Sequence, residues 1–398
     1  MTATARPSAT NEERTESTTS GFALVVSSHV LNHTYDSLLP ILYPPIMSEF
    51  SLSYSLVGML VMGYRLSSGS LQLIMGFMGR FFRRKFLLGL GMIWQSVTNS
   101  FISVSQGFTH VLVNRTLAGI GSSPQHPTGS SYIAENFSRE KRGRALGINI
   151  AAAQFGSLLA PLIGSIVLSS VGWRNTILVF STPGILVGIA FLFLKEPKRP
   201  MKWPGVSTFS LLLQGVRVAL SDRRVLAALV VETVIAFRIG AGDFLPSYFT
   251  KILGMATLEA GVVYSLYLGT GIFSAYFWGR VSDVLERRKV AMSTMGAAAV
   301  LWYLLSYGGN GLQLLAILIP LGFVSQGIAG VVQAFVADAT TKENRDIVYG
   351  IYFTIGFTIA SFSPVIMGYL ADTLGFYASF TYVALVSLSA VVASYFLK

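Results

Sequence analysis

The chain has no cysteine among its 398 residues, which rules out both a disulfide framework and a thiolate metal site. Charge is also scarce: Asp, Glu, Lys and Arg make up 12% of the residues, about half the share of an ordinary soluble domain. No Gly-x-x-x-x-Gly-Lys-Ser/Thr run occurs, so no phosphate-cradling loop for ATP is available. The basic start, short apolar core and small-residue cleavage site of a secretory leader are missing as well. Residues 1–20 are instead rich in Thr, Ser, Ala and Glu without an apolar period, and a disordered cytoplasmic tail is expected there. Acids are outnumbered by bases, 18 to 29, for a formal charge of +11. The bases lie in short loops between apolar segments rather than on one face, so they imply membrane topology and no nucleic-acid partner.

What is abundant is apolar residues, at 52% of the chain with a mean hydropathy of +0.60. Segments of about the 20 residues that a bilayer requires recur at 22–48, 54–79, 86–105, 108–133, 145–170, 174–195, 224–250, 259–279, 290–308, 311–336, 347–371 and 376–397. With a cytoplasmic amino end, the clusters around Arg83, Arg84 and Lys85, around Lys141, Arg142 and Arg144, and around Arg287, Arg288 and Lys289 all fall inside. Only Arg174 and Lys251 fall outside, as the positive-inside rule requires. The long connection 196–222 divides the spans six and six, giving units at 21–195 and 223–398. One offset of 203 residues pairs Gly58 with Gly261, Tyr64 with Tyr267, Gly76 with Gly279, Gly119 with Gly322, Pro161 with Pro364 and Gly172 with Gly375. A duplicated half is the expected origin, and parallel halves with a site between them are one known transporter plan.

The first span carries Ser28-His29-Val30-Leu31-Asn32-His33-Thr34-Tyr35-Asp36. At about 100° per residue, His29, Asn32, His33 and Asp36 share one stripe. Ionisable groups in a bilayer turn toward a bundle interior or a water-filled path, so this stripe predicts a cavity. Arg65, Arg115 and Arg238 are the other intramembrane bases, and Arg65 shares its face with Ser68 and Gln72.

Twelve spans in two halves resemble the major facilitator superfamily, and short motifs agree. That family places Gly-x-x-x-Asp-Arg/Lys-x-Gly-Arg-Arg/Lys after its second span. Here the first copy runs from Gly76 through Arg80 to Arg83, Arg84 and Lys85, with Arg80 in the place of the acid. The second runs from Gly279 through Asp283 to Arg287 and Arg288 and keeps the acid. The resemblance implies a gating role for these residues, a role that Arg80 contradicts in the first half. Arg115-Thr-Leu-Ala-Gly119-Ile-Gly121 matches an arginine motif linked in the family to proton coupling. Gly156-Ser-Leu-Leu-Ala160-Pro161-Leu-Ile-Gly164 is similar to an antiporter motif, with Ala160 replacing one glycine. The first four spans, through Tyr43-Pro44, Ser48-Glu49-Phe50 and His126-Pro127, are similar to the fosmidomycin-resistance branch of exporters. His33 and Arg65 depart from that branch at the site itself.

The family's architecture implies that Arg115, Ser122 and His126, within about 40° of one another by helical period, face the first-span stripe. Asp36 is then the expected partner of Arg115, and such a pair at 4 Å contributes about 4 kcal/mol at an effective dielectric of 20. The histidines are expected to accept protons or hydrogen-bond the solute, or else to be satisfied structural residues. The i, i+4 pair His29 and His33 lacks the Glu of a zincin motif, so no metal and no cofactor is expected. Glu232 occupies the repeat position of His29 and either lines the cavity or guards the cytoplasmic mouth. Arg238 and Asp243 flank Gly240-Ala241-Gly242, where paired glycines can loosen the helix. Gln326 and Gln333 offer neutral hydrogen bonds on the tenth span. Three arginines against three acids leave room for a carboxylate or phosphate.

The expected molecule is an all-α membrane protein of twelve transmembrane helices, two six-helix bundles related by parallel duplication. It is read as a multi-pass plasma-membrane transporter, monomeric by the family's habit, with both termini cytoplasmic and no catalytic residues. It would move a small polar, anionic organic solute with protons, outward or inward. An intramembrane metalloenzyme or a non-transporting receptor are the rivals from other classes.

Overall fold

The computed structural model describes residues 11–79, 81–196, 213, 217, 221–340 and 345–396. Arg80 and nearly all of the expected 196–222 connection lie outside the described residues. Helices account for the architecture, in the order α1 (Asn11–Phe50), α2 (Tyr54–Met78), α3 (Arg84–Ile102), α4 (Phe108–Ser122), α5 (Gln125–Asn136) and α6 (Arg139–Phe193) in the first half. The second half has α7 (Arg223–Ile239), α8 (Thr257–Val284), α9 (Arg287–Ser306), α10 (Gly311–Gln326), α11 (Ile328–Ala339), α12 (Arg345–Ala360) and α13 (Ser363–Tyr395). Residues 1–10 of the expected tail lie outside the described residues. Helix α1 begins at Asn11, because extending a helix already nucleated by an apolar span adds one hydrogen bond per residue fixed.

The duplication is visible in the helix starts. Helices α2 and α8 begin at Tyr54 and Thr257, α3 and α9 at Arg84 and Arg287, α4 and α10 at Phe108 and Gly311, and α5 and α11 at Gln125 and Ile328, each pair separated by 203 residues. The same offset relates two breaks. Gly172 has φ +75° and Gly375 φ +80°, a left-handed backbone that glycine adopts without Cβ strain, and each turns a helical run into the next span.

Six helical stretches among the described residues are long and apolar enough to cross a membrane by length and hydropathy alone: 141–193, 223–252, 257–284, 287–306, 311–336 and 354–395. Helices α1 to α5 fall outside that set. Helices α4 and α5, of 15 and 12 residues, are too short by themselves, while α1 carries His29, Asn32, His33 and Asp36 and α2 carries Arg65, polar groups that lower the hydropathy of a span and turn toward the interior rather than lipid.

The two halves clasp each other at the end away from the basic loops. A Cβ placed on Gly58 of α2 would lie 2.4 Å from the Pro364 carbonyl oxygen, and one on Gly261 of α8 would lie 2.8 Å from that of Pro161. These four residues are two repeat pairs, so the same glycine-against-proline contact closes both sides of a pseudo-twofold seam. Asp372 reinforces it. Its carboxylate accepts the Tyr54 and Ser55 backbone N–H groups, both at 2.8 Å, and so caps α2 from the opposite half. Lys251 Nζ donates to Ser48 Oγ at 2.5 Å across the same end.

Candidate functional site

Near the middle of the molecule, four charged residues from four helical segments converge. Arg65 on α2 donates to Asp243 Oδ2 at 2.9 Å, a bond between the halves, with the side chains 25% and 13% exposed. Asp243 sits in a 3-10 stretch, Gly240–Phe244, that continues α7, so the helix is irregular where Gly240 and Gly242 predicted it to loosen. A π-helical turn follows at Tyr248–Ile252. Irregular backbone of this kind is tolerated at membrane depth where protein or a cavity surrounds it.

The expected ion pair between Asp36 and Arg115 is not formed. The Arg115 guanidinium lies over the Tyr64 ring, 4.1 Å from its centroid, and its Nε and Nη1 are buried without a hydrogen-bond partner, as is Asp36 Oδ1. The Tyr64 ring face attracts the cation without supplying acceptors for its N–H groups, while Arg65, from a helix the pairing argument left aside, takes the ion-pair role. The electrostatic neighbours of Asp36 are still Arg115, Tyr64, Arg65 and Asp243, so the acid lies within the same charged layer.

Below this layer runs a chain of neutral hydrogen bonds. Asn32 Nδ2 donates to Gln95 Oε1 at 3.1 Å and to Ser122 Oγ at 2.8 Å, and Gln95 Nε2 donates to the Tyr64 hydroxyl at 3.2 Å. Gln95 and Tyr64 are site residues that the sequence reading missed. An amide in the middle of an apolar span was the available signal for Gln95.

The break between α4 and α5, at Ser123 and Pro124, separates Arg115 and Ser122 from His126 and turns the latter toward α1. His29, His33 and His126 form a cluster of edge-to-face rings with centroids 4.9 to 5.8 Å apart. His29 is 5% exposed and His126 is the most open of the three. His33 Nδ1 lies 3.3 Å from Ser157 Oγ.

The second half presents a different set. Glu232, 4% exposed, accepts from the Tyr352 hydroxyl at 2.5 Å, and Arg238 donates to the Ser325 carbonyl at 2.8 Å. Among the described residues Arg238 forms no salt bridge with Asp243 or Glu232, and it is Arg65 that holds the Asp243 carboxylate. Gln326 lines the approach of α10 to Gly271, beside Gln154 of the first half. Gln333 is half-buried on α11.

The motif residues stand at the basic end. Arg84 bonds Glu135 and the Ser131 carbonyl on α5, and Lys85 Nζ donates to the Leu192 and Leu194 carbonyls at 2.8 Å, at the end of α6. In the second copy Arg287 bonds Asp338 at 2.7 Å and lies 3.7 Å from Asp283, while Arg288 stacks over Tyr395. Gly76 is packed against Pro127, and Gly279 has open space where a Cβ would stand. Gly156 lets α6 approach the Val30 carbonyl of α1, 2.6 Å from where its Cβ would stand.

The Major Facilitator Superfamily model matches residues 25–274 and 240–398. The chain is 23% identical over 351 residues to the fosmidomycin resistance protein of Escherichia coli, covering 87% of this chain and 84% of that one. It is 25% identical over 378 residues to the probable galactarate/D-glucarate transporter GudP of the same organism, covering 83% of each. A solved bacterial homologue of the human lysosomal transporter Spinster, inward-facing and unoccupied, superimposes with a TM-score of 0.78 at 16% identity over 96% of this chain and 95% of that one. The chain therefore belongs to the Major Facilitator Superfamily and is a membrane transporter of small-molecule solutes, not an enzyme.

Proposed function

We propose that the protein moves a small anionic organic solute by alternating access, coupled to protons, with the charged layer as its binding site. The observation that carries this reading is the Arg65–Asp243 bond at 2.9 Å beside Arg115, whose buried donors have no acceptor. A carboxylate entering between the two guanidiniums competes with Asp243 for Arg65 and supplies the bidentate acceptor that Arg115 lacks. The bond joins the halves, so substrate binding loosens one cross-half tie and biases the equilibrium between the two open states. Protonation of Asp36 or Asp243 acts on the same tie. The basic end is read as cytoplasmic by the positive-inside rule, which supports cytoplasmic termini and, with the opposite end clasped, an inward-open reading of this state. A single chain forms the whole site, so a monomer suffices.

Outward movement is preferred, on the likeness to the resistance protein and the near-antiporter motif at Gly156. The test is solute counterflow in proteoliposomes across small carboxylates, sugar acids, phosphonates and cationic drugs. An anion is expected to exchange in the wild type, with at least a tenfold loss in Arg115→Gln. Exchange of cations alone would contradict the reading.

A further inference from the structure

The cluster of His29, His33 and His126 plays no part in the ion-pair scheme above, and its geometry points elsewhere. His29 and His33 lie one turn apart on α1, and His126 is the second residue of α5. One ring nitrogen from each falls within 4.8 Å of the others, and this is the one group of three or more His, Cys, Asp or Glu among the described residues that converges in this way. The rings meet nearly at right angles, with interplanar angles of 75°, 85° and 88°.

Both nitrogens of His29 are buried and make no hydrogen bond of ordinary geometry, with Asn149 the polar neighbour closest to forming one. An imidazole that deep normally satisfies at least one of them, since a buried donor or acceptor left unpaired costs about 1–3 kcal/mol. His33 differs: its Nδ1 lies against Ser157 Oγ at 3.3 Å, which leaves Nε2 for another partner. A metal-bound histidine usually donates its other ring N–H to a carboxylate, backbone carbonyl or water, and the Ser157 hydroxyl stands in that place for His33. Three imidazolium rings at these separations would repel one another, whereas one cation shared by three neutral rings gathers their lone pairs.

We propose that His29, His33 and His126 bind a divalent transition-metal ion of the zinc or cobalt type, through three nitrogens, with a fourth position open to the cavity. Zinc–nitrogen bonds of about 2.0–2.1 Å in a tetrahedron set the nitrogens about 3.4 Å apart. Reaching that from the observed spread takes side-chain rotation with both helices in place. The all-nitrogen donor set rejects magnesium and calcium, which demand oxygen. Sequence spacing offered only the i, i+4 pair His29 and His33, from which no metal was expected; the third ligand is 93 residues from the second, and only the α4–α5 break brings it to α1. Both helices belong to the first half, so the ion would travel with that half as a rigid unit. The proposal stands on this geometry alone and does not depend on the transported solute.

The experiment uses full-length protein purified in detergent without a polyhistidine tag, stripped by a chelator and titrated with Co2+. One Co2+ per chain is expected, with the visible absorption of a nitrogen-ligated, low-coordinate ion, displaced by stoichiometric Zn2+ and not by Mg2+. His126→Gln, at the open side of the cluster, should weaken binding at least tenfold while the far-ultraviolet spectrum and elution volume stay as in the wild type. Ser157→Ala should weaken it about tenfold through lost orientation of His33. A wild type that binds no more Co2+ than the His29→Gln/His33→Gln/His126→Gln variant would overturn the proposal, as would binding unchanged in His126→Gln.

Discussion

Arg65 and Asp243 form an ion pair that joins the two halves within the charged layer. Both are mostly buried, and removal of one partner strands the other charge in a low-dielectric setting, which costs about 3–5 kcal/mol when burial is complete. Arg65→Gln is therefore expected to lower transport at least tenfold, and the exchange Arg65→Asp/Asp243→Arg to restore part of it; initial rates in proteoliposomes measure both. A different pair guards the opposite end. Glu49 accepts from Arg174 at 2.5 Å and from Trp173 Nε1 at 2.8 Å, and these hydrogen bonds, Arg174 first, hold its carboxyl below the ordinary glutamate range. A depressed value means that the stabilisation is present above the unfolded value of about 4.3 and is lost as pH falls through the folded one. Exposure limits the effect to about 1 kcal/mol or less. Acid titration of tryptophan fluorescence should show a step below about pH 4.3 that Glu49→Gln abolishes. A step of the same size in the variant would assign it to another carboxylate. Residue types in the site were legible from the rule that intramembrane charge faces inward, but their pairing was not. Helical period fixes direction on one helix; it cannot say that Tyr64 fills the place over Arg115 or that a partner arrives from the other half.

At the scale of elements, the seam of α2 against α13 and α8 against α6 depends on two glycines. Gly58→Ala would set a Cβ 2.4 Å from a backbone oxygen, and Gly261→Ala 2.8 Å, distances at which a backbone rather than a side-chain tip must move. Each substitution is expected to open the clasped end and shift the population toward the opposite state. The absence of cysteine makes this measurable: Ser48→Cys and Lys251→Cys, introduced together, should be joined by a short bifunctional reagent in the wild-type background and less in Gly58→Ala. Equal cross-linking would contradict the seam. The sequence offset of 203 residues predicted equivalent helices, and the starts of α2, α3, α4 and α5 repeat at that spacing because no insertion falls within them. What the offset did not reveal is that Gly58 meets Pro364 and Gly261 meets Pro161. Repeat pairs name equivalent positions, and contact across a pseudo-twofold axis joins each to the partner of the other.

For the whole molecule, the unequal halves matter more than their likeness. The first half supplies three histidines, Asn32, Asp36 and two arginines; the second supplies Asp243, with Glu232 and Arg238 engaged by Tyr352 and the Ser325 carbonyl. The polar residues that lower the hydropathy of α1 and α2, among them His29, Asn32, His33, Asp36 and Arg65, are the same ones that build the site. The clasp at Asp372 and the two glycines closes one end, while Arg84 and Arg287 at the basic end bond within their own halves to Glu135 and Asp338. An anion entering from the basic end would meet the Arg65–Asp243 tie before the clasp. The most direct measurement is proton movement in proteoliposomes holding a pH-sensitive dye, with an anion that exchanges in counterflow added on one side. Proton flux triggered by that anion is expected in the wild type and absent in Asp36→Asn, with solute binding retained. Solute flux with no proton movement would contradict it and leave a solute exchanger whose charged layer serves binding alone.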